Sequence, residues 1–317
     1  MNKVIFSALL ISFVSVTSCR KINLPAVTTE DVTEISESSA KCGGDIISDG
    51  GGMITGRGVC WSTDHNPSIE DFTTNDGEGT GSFLSFLTGL EQNTTYYVRA
   101  YAANSEGVAY GSEKSFTTQK LVYDIDGFAY HTIVIGNQTW LKENLKTTRY
   151  RDGSVIPLIS SSSVWMNETT GAYCSYDNNN ANVTFYGALY NWYTVIDNRK
   201  LCPDGWHIPT NEEWTTLTTY LGGLDVAGGK MKEAGLEHWK GPNTGAGNQS
   251  GFTAFGSGFR DLTGVYAGIK ELAYFWSSSE YSPTHGIGRK LFYDFPSVSF
   301  SGNYKQTGCA VRCIKDQ

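Results

Sequence analysis

One stretch of strict period two, from Leu90 to Asn104, constrains the fold of this chain more than any other feature. Its inner row is apolar and consists of Tyr96, Val98, Ala100 and Ala102. Its outer row consists of Tyr97, Arg99 and Tyr101. Alternate residues of a strand point to opposite faces, so the pattern predicts a half-buried β-strand. Short strands and turn clusters surround it, and they predict an all-β sandwich over residues 29–118.

The start of this strand resembles the signature of fibronectin type III domains. Leu90, Thr94 and Tyr96 are the matching residues, and Gln92 stands where the motif usually has proline. In that family the tyrosine hydroxyl bonds back to the backbone at a corner of the sandwich. The resemblance implies an immunoglobulin/fibronectin III-like sandwich, a module that usually spaces or binds and seldom catalyses.

Two cysteines, Cys42 and Cys60, fall on successive predicted strands of this sandwich. A disulfide between them would bridge the domain. Two small buried side chains would fit equally well, because free cysteine packs readily in a core. The sequence leaves both interpretations open.

The N-terminal segment predicts export and lipid attachment. Lys3 precedes an apolar stretch over residues 4–16, which is too short to span a bilayer as a stable helix. Val16-Thr17-Ser18-Cys19 then resembles the lipobox of bacterial lipoproteins. The resemblance implies a signal peptide at 1–18, lipid on Cys19, a tether over 19–28 and a place in the cell envelope, on the outer membrane. An ordinary secretory signal is the alternative.

Cysteine number and charge agree with an exported protein that does not bind nucleic acid. The chain has seven cysteines, and removing Cys19 leaves six, an even number that an oxidising compartment allows. The net charge is −8. Phosphate backbones are bound by basic surfaces, so an acidic chain argues against a nucleic-acid partner.

Residues 123–317 form a second domain with a series of recognisable blocks. In chain order the blocks begin at Thr139, Tyr186, Leu201, Ser250, Gly258, Phe275 and Ala310, and read TWLKENL, YGALYNW, LCPDGWHIPT, SGFTA, GFR, FWSSSE and AVRC. An Asp126-Gly127 hairpin precedes them. This order resembles the Fibrobacter succinogenes major paralogous domain (FISUMP), found in exported proteins of Bacteroidetes and similar bacteria. The family is not tied to one activity.

Two short helices are predicted in this α+β domain. Thr210 and Glu213 have the spacing of a capping box, and Trp214, Leu217 and Leu221 then form an apolar stripe at helical spacing. A similar stripe predicts a helix over residues 186–196. Two short helices, long loops and a small antiparallel sheet are similar to the C-type lectin-like architecture and, by analogy, to formylglycine-generating-type domains.

The cysteines of the second domain predict two disulfides. Cys309 and Cys313 lie four residues apart, which is about 13 Å in an extended strand. That distance exceeds the reach of a disulfide, so each needs another partner. We expect Cys202 to pair with Cys313, and Cys174 with Cys309 by elimination.

Several polar and aromatic residues are candidates for a ligand surface. Asp177, Asn178, Asn179, Asn180 and Asn182 offer oxygen atoms to Ca²⁺, although such runs commonly form turns. Trp239 and Tyr266 lie in Gly/Asn-rich segments and would stack on sugars if exposed, although buried aromatic residues are commoner. Trp276 and Glu280 bracket a serine run without a nucleophile elbow. His207 is expected to be a hydrogen-bonded structural residue.

These features together predict a binding or adhesion module of the cell envelope, with a glycan or a surface protein as ligand. No catalysis, cofactor or structural metal is expected. One alternative is a thiol-dependent enzyme using Cys309 and Cys313, by analogy with formylglycine-generating domains. The other is a structural subunit of a surface assembly.

Overall fold

The computed structural model describes residues 21–317. The predicted signal peptide and lipidation site, Cys19, therefore lie outside the described residues. The chain divides into two compact units, the first ending at Gln119 and the second running from Lys120 to Gln317. In both units more of the described residues lie in strands than in helices. Within residues 21–317, no helix has the length and apolar character needed to cross a membrane.

The first unit contains two antiparallel sheets. Its strands are β1 (Ala26–Thr29), β2 (Ser39–Ser48), β3 (Gly56–Ser62), β4 (Phe72–Thr73), β5 (Gly81–Thr88), β6 (Thr95–Asn104), β7 (Gly107–Tyr110) and β8 (Lys114–Thr117). One sheet has the order β1-β2-β5, and the other has the order β4-β3-β6-β7, with β8 also pairing with β6. Side chains of both sheets share one core, which makes the unit a β-sandwich.

Strand β6 confirms the predicted period-two pattern. Tyr96, Val98, Ala100 and Ala102 are all buried, and the residues between them are partly exposed. The backbone N–H of Glu91 donates to the hydroxyl of Tyr96 at 3.0 Å. This is the bond back to the backbone that the fibronectin-type signature implied.

The structure leaves Cys42 and Cys60 as free buried thiols, so the disulfide interpretation is wrong for this pair. Cys42 belongs to the sandwich core. Val59 and Trp61 also belong to that core, so Cys60 between them points to the opposite face of its sheet. There its sulfur lies 3.3 Å from the carbonyl oxygen of Pro67.

The second unit combines short strands with five short helices among its described residues. The helices are α1 (Ser162–Met166), α2 (Ala181–Tyr186), α3 (Trp192–Val195), α4 (Asn211–Tyr220) and α5 (Leu224–Met231). The strands are β9 (Val122–Tyr123), β10 (Ala129–Tyr130), β11 (Thr132–Ile135), β12 (Gln138–Leu141), β13 (Tyr173–Cys174), β14 (Leu189–Tyr190), β15 (Trp206–His207), β16 (Ser257–Arg260), β17 (Tyr266–Ile269), β18 (Leu272–Ser282), β19 (His285–Phe292), β20 (Val298–Tyr304) and β21 (Ile314–Lys315).

A five-stranded sheet of order β17-β16-β18-β19-β20 forms the centre of this unit. Its pairings are antiparallel except for the parallel contact between β16 and β18. Strand β18 contributes to two cores because its residues alternate between faces: Tyr274 and Trp276 enter one, and Phe275 enters the other. A four-stranded sheet of order β11-β12-β21-β15 joins the start of the unit to its C-terminal strand.

Helix α4 confirms the capping box. The Thr210 hydroxyl accepts from the backbone N–H of Glu213 at 3.2 Å, and the Glu213 carboxylate accepts from the N–H of Thr210 at 2.8 Å. Trp214 and Leu217 are fully buried, as the apolar stripe predicted.

The predicted helix over residues 186–196 is wrong in its extent. Gly187 ends α2 with a φ of 78°, and the chain then forms strand β14 before α3. A Cβ at Gly187 would lie 2.8 Å from the carbonyl oxygen of Leu145. The close approach of another segment therefore fixes a glycine and a break where the apolar spacing alone predicts a continuous helix.

One of the two expected disulfides in this unit is present. Cys202 and Cys313 are bonded, with 6.0 Å between their Cα atoms, which confirms the first pairing. The pairing of Cys174 with Cys309 is wrong, since both are free thiols. Strand β14 lies between them: Tyr173 and Cys174 pair with it on one side, and Cys309 pairs with Tyr190 on the other. Two inter-strand steps are about 9.6 Å, which is too far for a disulfide.

Buried cations join distant loops of the second unit through backbone carbonyls. The ammonium group of Lys232 donates to the carbonyl oxygens of Thr244, Phe292 and Phe295 at 2.9, 2.9 and 3.0 Å. Arg312 donates to the carbonyl of Phe252 at 2.6 Å. These cations satisfy the polar groups of segments that lack regular secondary structure.

Candidate ligand-binding site

A cleft of about 490 Å³ opens on one face of the five-stranded sheet. We call it the sheet cleft. Its main lining residues are Phe259, Tyr274, Lys290, Phe292, Asn303 and Tyr304. Its volume falls within the range of about 300–1,000 Å³ that is typical of small-molecule sites.

Strand register brings the side chains of the sheet cleft together. Lys290 pairs with Tyr274, and Phe292 pairs with Leu272, so all four point to the same face. The ring of Phe259, from β16, contacts Tyr274 edge-on with 5.7 Å between ring centroids. The face therefore presents aromatic rings on neighbouring strands.

Gly288 gives Tyr274 the space to lie across the sheet. A Cβ at this position would lie 2.5 Å from Cε2 of Tyr274 and 2.9 Å from Nδ2 of Asn303. The Tyr274 ring and the Asn303 amide consequently meet above the glycine. Burial raises the pKa of Tyr274, so its phenol stays neutral at physiological pH.

Lys290 supplies a positive charge in this cleft. Its ammonium nitrogen lies 4.6 Å from the centroid of the Tyr274 ring. None of the ion pairs formed among residues 21–317 involves Lys290. Burial lowers the pKa of Lys290, as expected for an ammonium group that has lost water without gaining a counter-charge.

One carboxylate, that of Asp261, also lines the sheet cleft, but it accepts hydrogen bonds from the backbone of its own turn. Its Oδ1 accepts hydrogen bonds from the backbone N–H groups of Thr263 and Val265 at 2.8 and 2.9 Å. His285 and Tyr304 also line the cleft, and their rings contact each other at a tilt of 37°, with 4.4 Å between the centroids. The cleft thus offers rings, an amide and an ammonium group to a ligand.

The expected ligand surface forms only in part. The side chain of Tyr266 does meet the 177–182 segment, since its hydroxyl donates to Oδ1 of Asn178 at 2.8 Å. The other amides are used separately: Oδ1 of Asn179 accepts from the N–H of Ala181 at 3.1 Å, and Nδ2 of Asn182 donates to the carbonyl of Tyr176 at 3.0 Å. Asp177 and Asn180 are exposed. These local hydrogen bonds are those of a turn.

A second depression, of about 470 Å³, lies beside this segment. Its lining residues include Phe128, Leu158, Tyr173, Asn180 and Val183. Lys146 is the one charged residue in its lining.

Two of the expected ligand residues are wrong because they are core residues. Trp239 and Trp276 are 1% and 0% exposed. Their indole N–H groups donate to the carbonyls of Ala254 and Tyr190, each at 2.8 Å. Glu280 is half exposed, and it pairs with Lys305 at 2.5 Å.

His207 is hydrogen-bonded through both ring nitrogens. Nδ1 lies 2.6 Å from a carboxylate oxygen of Asp316, and Nε2 lies 2.9 Å from Oε1 of Glu213. Glu213 also caps α4, so the histidine ties the C-terminus to this helix. This is the structural role that the sequence predicts.

One group of potential metal ligands was missed by sequence reasoning. Glu233, Glu237 and His238 each place a ligand atom within 4.8 Å of the others. Glu233 and His238 already bind each other at 3.0 Å, and Glu237 is exposed. The Glu-x-x-x-Glu-His spacing of these residues could have indicated the group from the sequence. The ion pair between Glu233 and His238 accounts for its two partly buried members.

The enzyme hypothesis requires Cys309 and Cys313 to be two free thiols, and only one of them is free. Cys313 is bonded to Cys202. Cys309 is buried, and burial raises its pKa well above the ordinary value, so it is a poor source of thiolate.

A family model described as the Fibrobacter succinogenes major domain matches residues 133–315. The chain belongs to this family. The matched residues include β12, α4, β16 and β18. No curated protein matches this Fibrobacter succinogenes major domain protein.

Solved structures match about a third of the chain. The sensor domain of the anti-sigma factor RsgI4 in Pseudobacteroides cellulosolvens is 16% identical and covers 31% of this chain and 97% of its own, with a TM-score of 0.24. A redesigned β-sandwich protein is 27% identical, with 31% and 96% covered and a TM-score of 0.23. The third fibronectin III domain of human KIAA0343 is 20% identical, with 30% and 83% covered and a TM-score of 0.23. Scores this low carry no functional argument.

Proposed function

We propose that this Fibrobacter succinogenes major domain protein is a cell-envelope lipoprotein that binds a glycan in the sheet cleft. The observation that carries the proposal is the grouping of two partly exposed rings, Phe259 and Phe292, with Asn303 and Lys290 in one open cleft whose floor is the buried ring of Tyr274. Apolar faces of sugar rings pack on aromatic rings, and a few placed polar groups fix their hydroxyls. We expect no catalysis, and a surface protein is the alternative ligand.

The two units have separate roles in this proposal. The first is a fibronectin III-like spacer, supported by its two antiparallel sheets and the Tyr96 corner bond. The second is a C-type lectin-like head, supported by its short helices, its long loops and a disulfide from Cys313, beside the C-terminal strand, to Cys202. Lipid on Cys19 would hold both at the outer membrane.

A glycan array tests the binding role. The chain from residue 21 to 317, fluorescently labelled, is expected to bind a restricted set of glycans. Phe259→Ala removes an aromatic wall of the cleft and should abolish that signal. Phe300→Ala is the matched control, because Phe300 is an exposed aromatic residue on the opposite face of the same sheet. Equal binding by wild type and Phe259→Ala, or no binding to any glycan, would refute the proposal.

Detergent partition tests the anchor. Full-length protein expressed in a bacterial host with lipoprotein processing should enter the detergent phase of Triton X-114. Cys19→Ser should leave the protein in the aqueous phase, because no thiol remains to carry the lipid. Equal partition of both proteins would contradict lipid attachment at this residue.

A further inference from the structure

We propose that the sheet cleft selects acidic saccharides, with the carboxylate of a uronic acid placed at Lys290. This inference rests on the proposed function and specifies the chemical class of its ligand. Its starting point is the contrast between an acidic chain, with net charge −8, and Lys290, the one lysine in the lining of the sheet cleft, which forms no ion pair among the described residues.

The surroundings of Lys290 hold its charge in place without neutralising it. Its stem comes from the interior strand β19, and its nitrogen lies 4.6 Å from the Tyr274 ring centroid. Ion pairs among the described residues involve other lysines, and Asp261 points its Oδ1 to its own turn. The position is therefore that of a preorganised cation awaiting an anion.

Burial makes an anionic ligand more favourable here than on an open surface. Lys290 is only partly exposed, and burial lowers its pKa, so its ammonium form lacks full solvation. A ligand carboxylate would supply the missing counter-charge at little further desolvation cost to the lysine. A neutral sugar would leave that charge unpaired.

The rest of the cleft favours a sugar over a small free anion. The rings of Phe259 and Phe292 flank the lysine, and Asn303 offers an amide next to Tyr274. Nδ2 of Asn303 donates one hydrogen bond to the carbonyl of Ser301 at 2.8 Å. An NH₂ group carries two hydrogens, so one donor remains for a ligand hydroxyl.

Matched oligosaccharides test the inference by isothermal titration calorimetry. The probes are trimers of galacturonate and of glucuronate, each compared with its carboxyl-reduced neutral counterpart. Wild-type protein should bind one acidic trimer at least about tenfold more tightly than its neutral counterpart, as expected for a charge-assisted hydrogen bond. The acidic trimer should also lose affinity as salt is raised.

Two variants isolate the charge. Lys290→Gln keeps most of the stem over Tyr274 and should bring the acidic trimer down to the affinity of the neutral one. Lys290→Arg keeps the charge and should retain the preference, which separates loss of charge from misfolding. Thermal unfolding of both variants checks that each is folded.

The outcomes separate this inference from the proposed function. Equal binding of acidic and neutral trimers overturns the acidic preference and leaves glycan binding in place. An acidic preference that survives Lys290→Gln also overturns the inference, since another group must then bind the carboxylate. If neither class binds and the glycan array is blank, the proposed function fails and the inference fails with it.

Discussion

The disulfide between Cys202 and Cys313 provides the sharpest stability prediction. It closes a sequence separation of 111 residues, which includes α4, α5 and strands β16 to β20. Replacing both cysteines with alanine (Cys202→Ala with Cys313→Ala) removes this restraint from the unfolded chain. The folded unit keeps its hydrogen-bonded sheet, because β21 still pairs with β12 and β15.

The magnitude follows from loop closure. In the chain-entropy model the loss is about −2.1 − 1.5R ln n cal/mol/K, which at a separation of 111 is about −16 cal/mol/K. At 25 °C this corresponds to about 4.8 kcal/mol of stabilisation. With a urea m-value of about 2 kcal/mol/M, the unfolding midpoint of the double variant should fall by about 2.4 M.

Urea unfolding followed by tryptophan fluorescence measures this shift. Seven of the eight tryptophans belong to the second unit, so the signal reports mainly on that unit. Reductant should lower the midpoint of wild type to that of the double variant and leave the variant unchanged. A midpoint that differs by less than about 0.5 M between wild type and variant would show that loop entropy is not the main effect.

Three other features yield predictions of their own. Unfolded protein from residue 21 to 317 should titrate four thiols with Ellman's reagent, and two or none would contradict the free state of Cys42, Cys60, Cys174 and Cys309. Tyr96→Phe should lower the free energy of unfolding of the first unit by about 1 kcal/mol, because Glu91 N–H loses its acceptor, while Tyr97→Phe should have little effect. Lys232→Met should lower the free energy of unfolding of the second unit by about 3 kcal/mol, because three carbonyls lose their donor. An unchanged denaturant midpoint would refute this prediction. Burial lowers the pKa of Lys232 from 10.5 to about 8, so between pH 8 and pH 10.5 the unfolded chain holds a proton on Lys232 that the folded chain has lost. The free energy of unfolding of the wild type should therefore rise relative to that of Lys232→Met as the pH increases from about 8.

Local signals in the sequence predicted local structure well. The Thr210–Glu213 capping box depends on residues three apart, and the structure contains it. The Tyr96 corner bond is also local, since its donor is Glu91. The family resemblance was also confirmed, since the family model matches residues 133–315.

Features that depend on distant segments were predicted poorly. Trp239 lies between His238 and Lys240 and Trp276 precedes three serines, yet other segments cover both indoles almost completely. Cys174 and Cys309 seemed to be partners by elimination, but strand β14 separates them. Lys290 and Asn303 are 13 residues apart in the sequence, and they line one cleft because β19 and β20 are paired.

Strand β19 shows how one sequence builds both core and cleft on the same face. Gly286, Gly288 and Lys290 alternate, so all three point to the side of Tyr274. Trp192 occupies the space that a Cβ at Gly286 would need, at 2.3 Å from its Cδ1, and Tyr274 occupies the space at Gly288, at 2.5 Å. Lys290 is the next residue on this face, and its side chain is not completely covered by a ring from another segment. On this face of β19, aromatic rings therefore cover the two glycines, and the side chain that stays partly exposed in the cleft is that of Lys290, which forms no ion pair among the described residues.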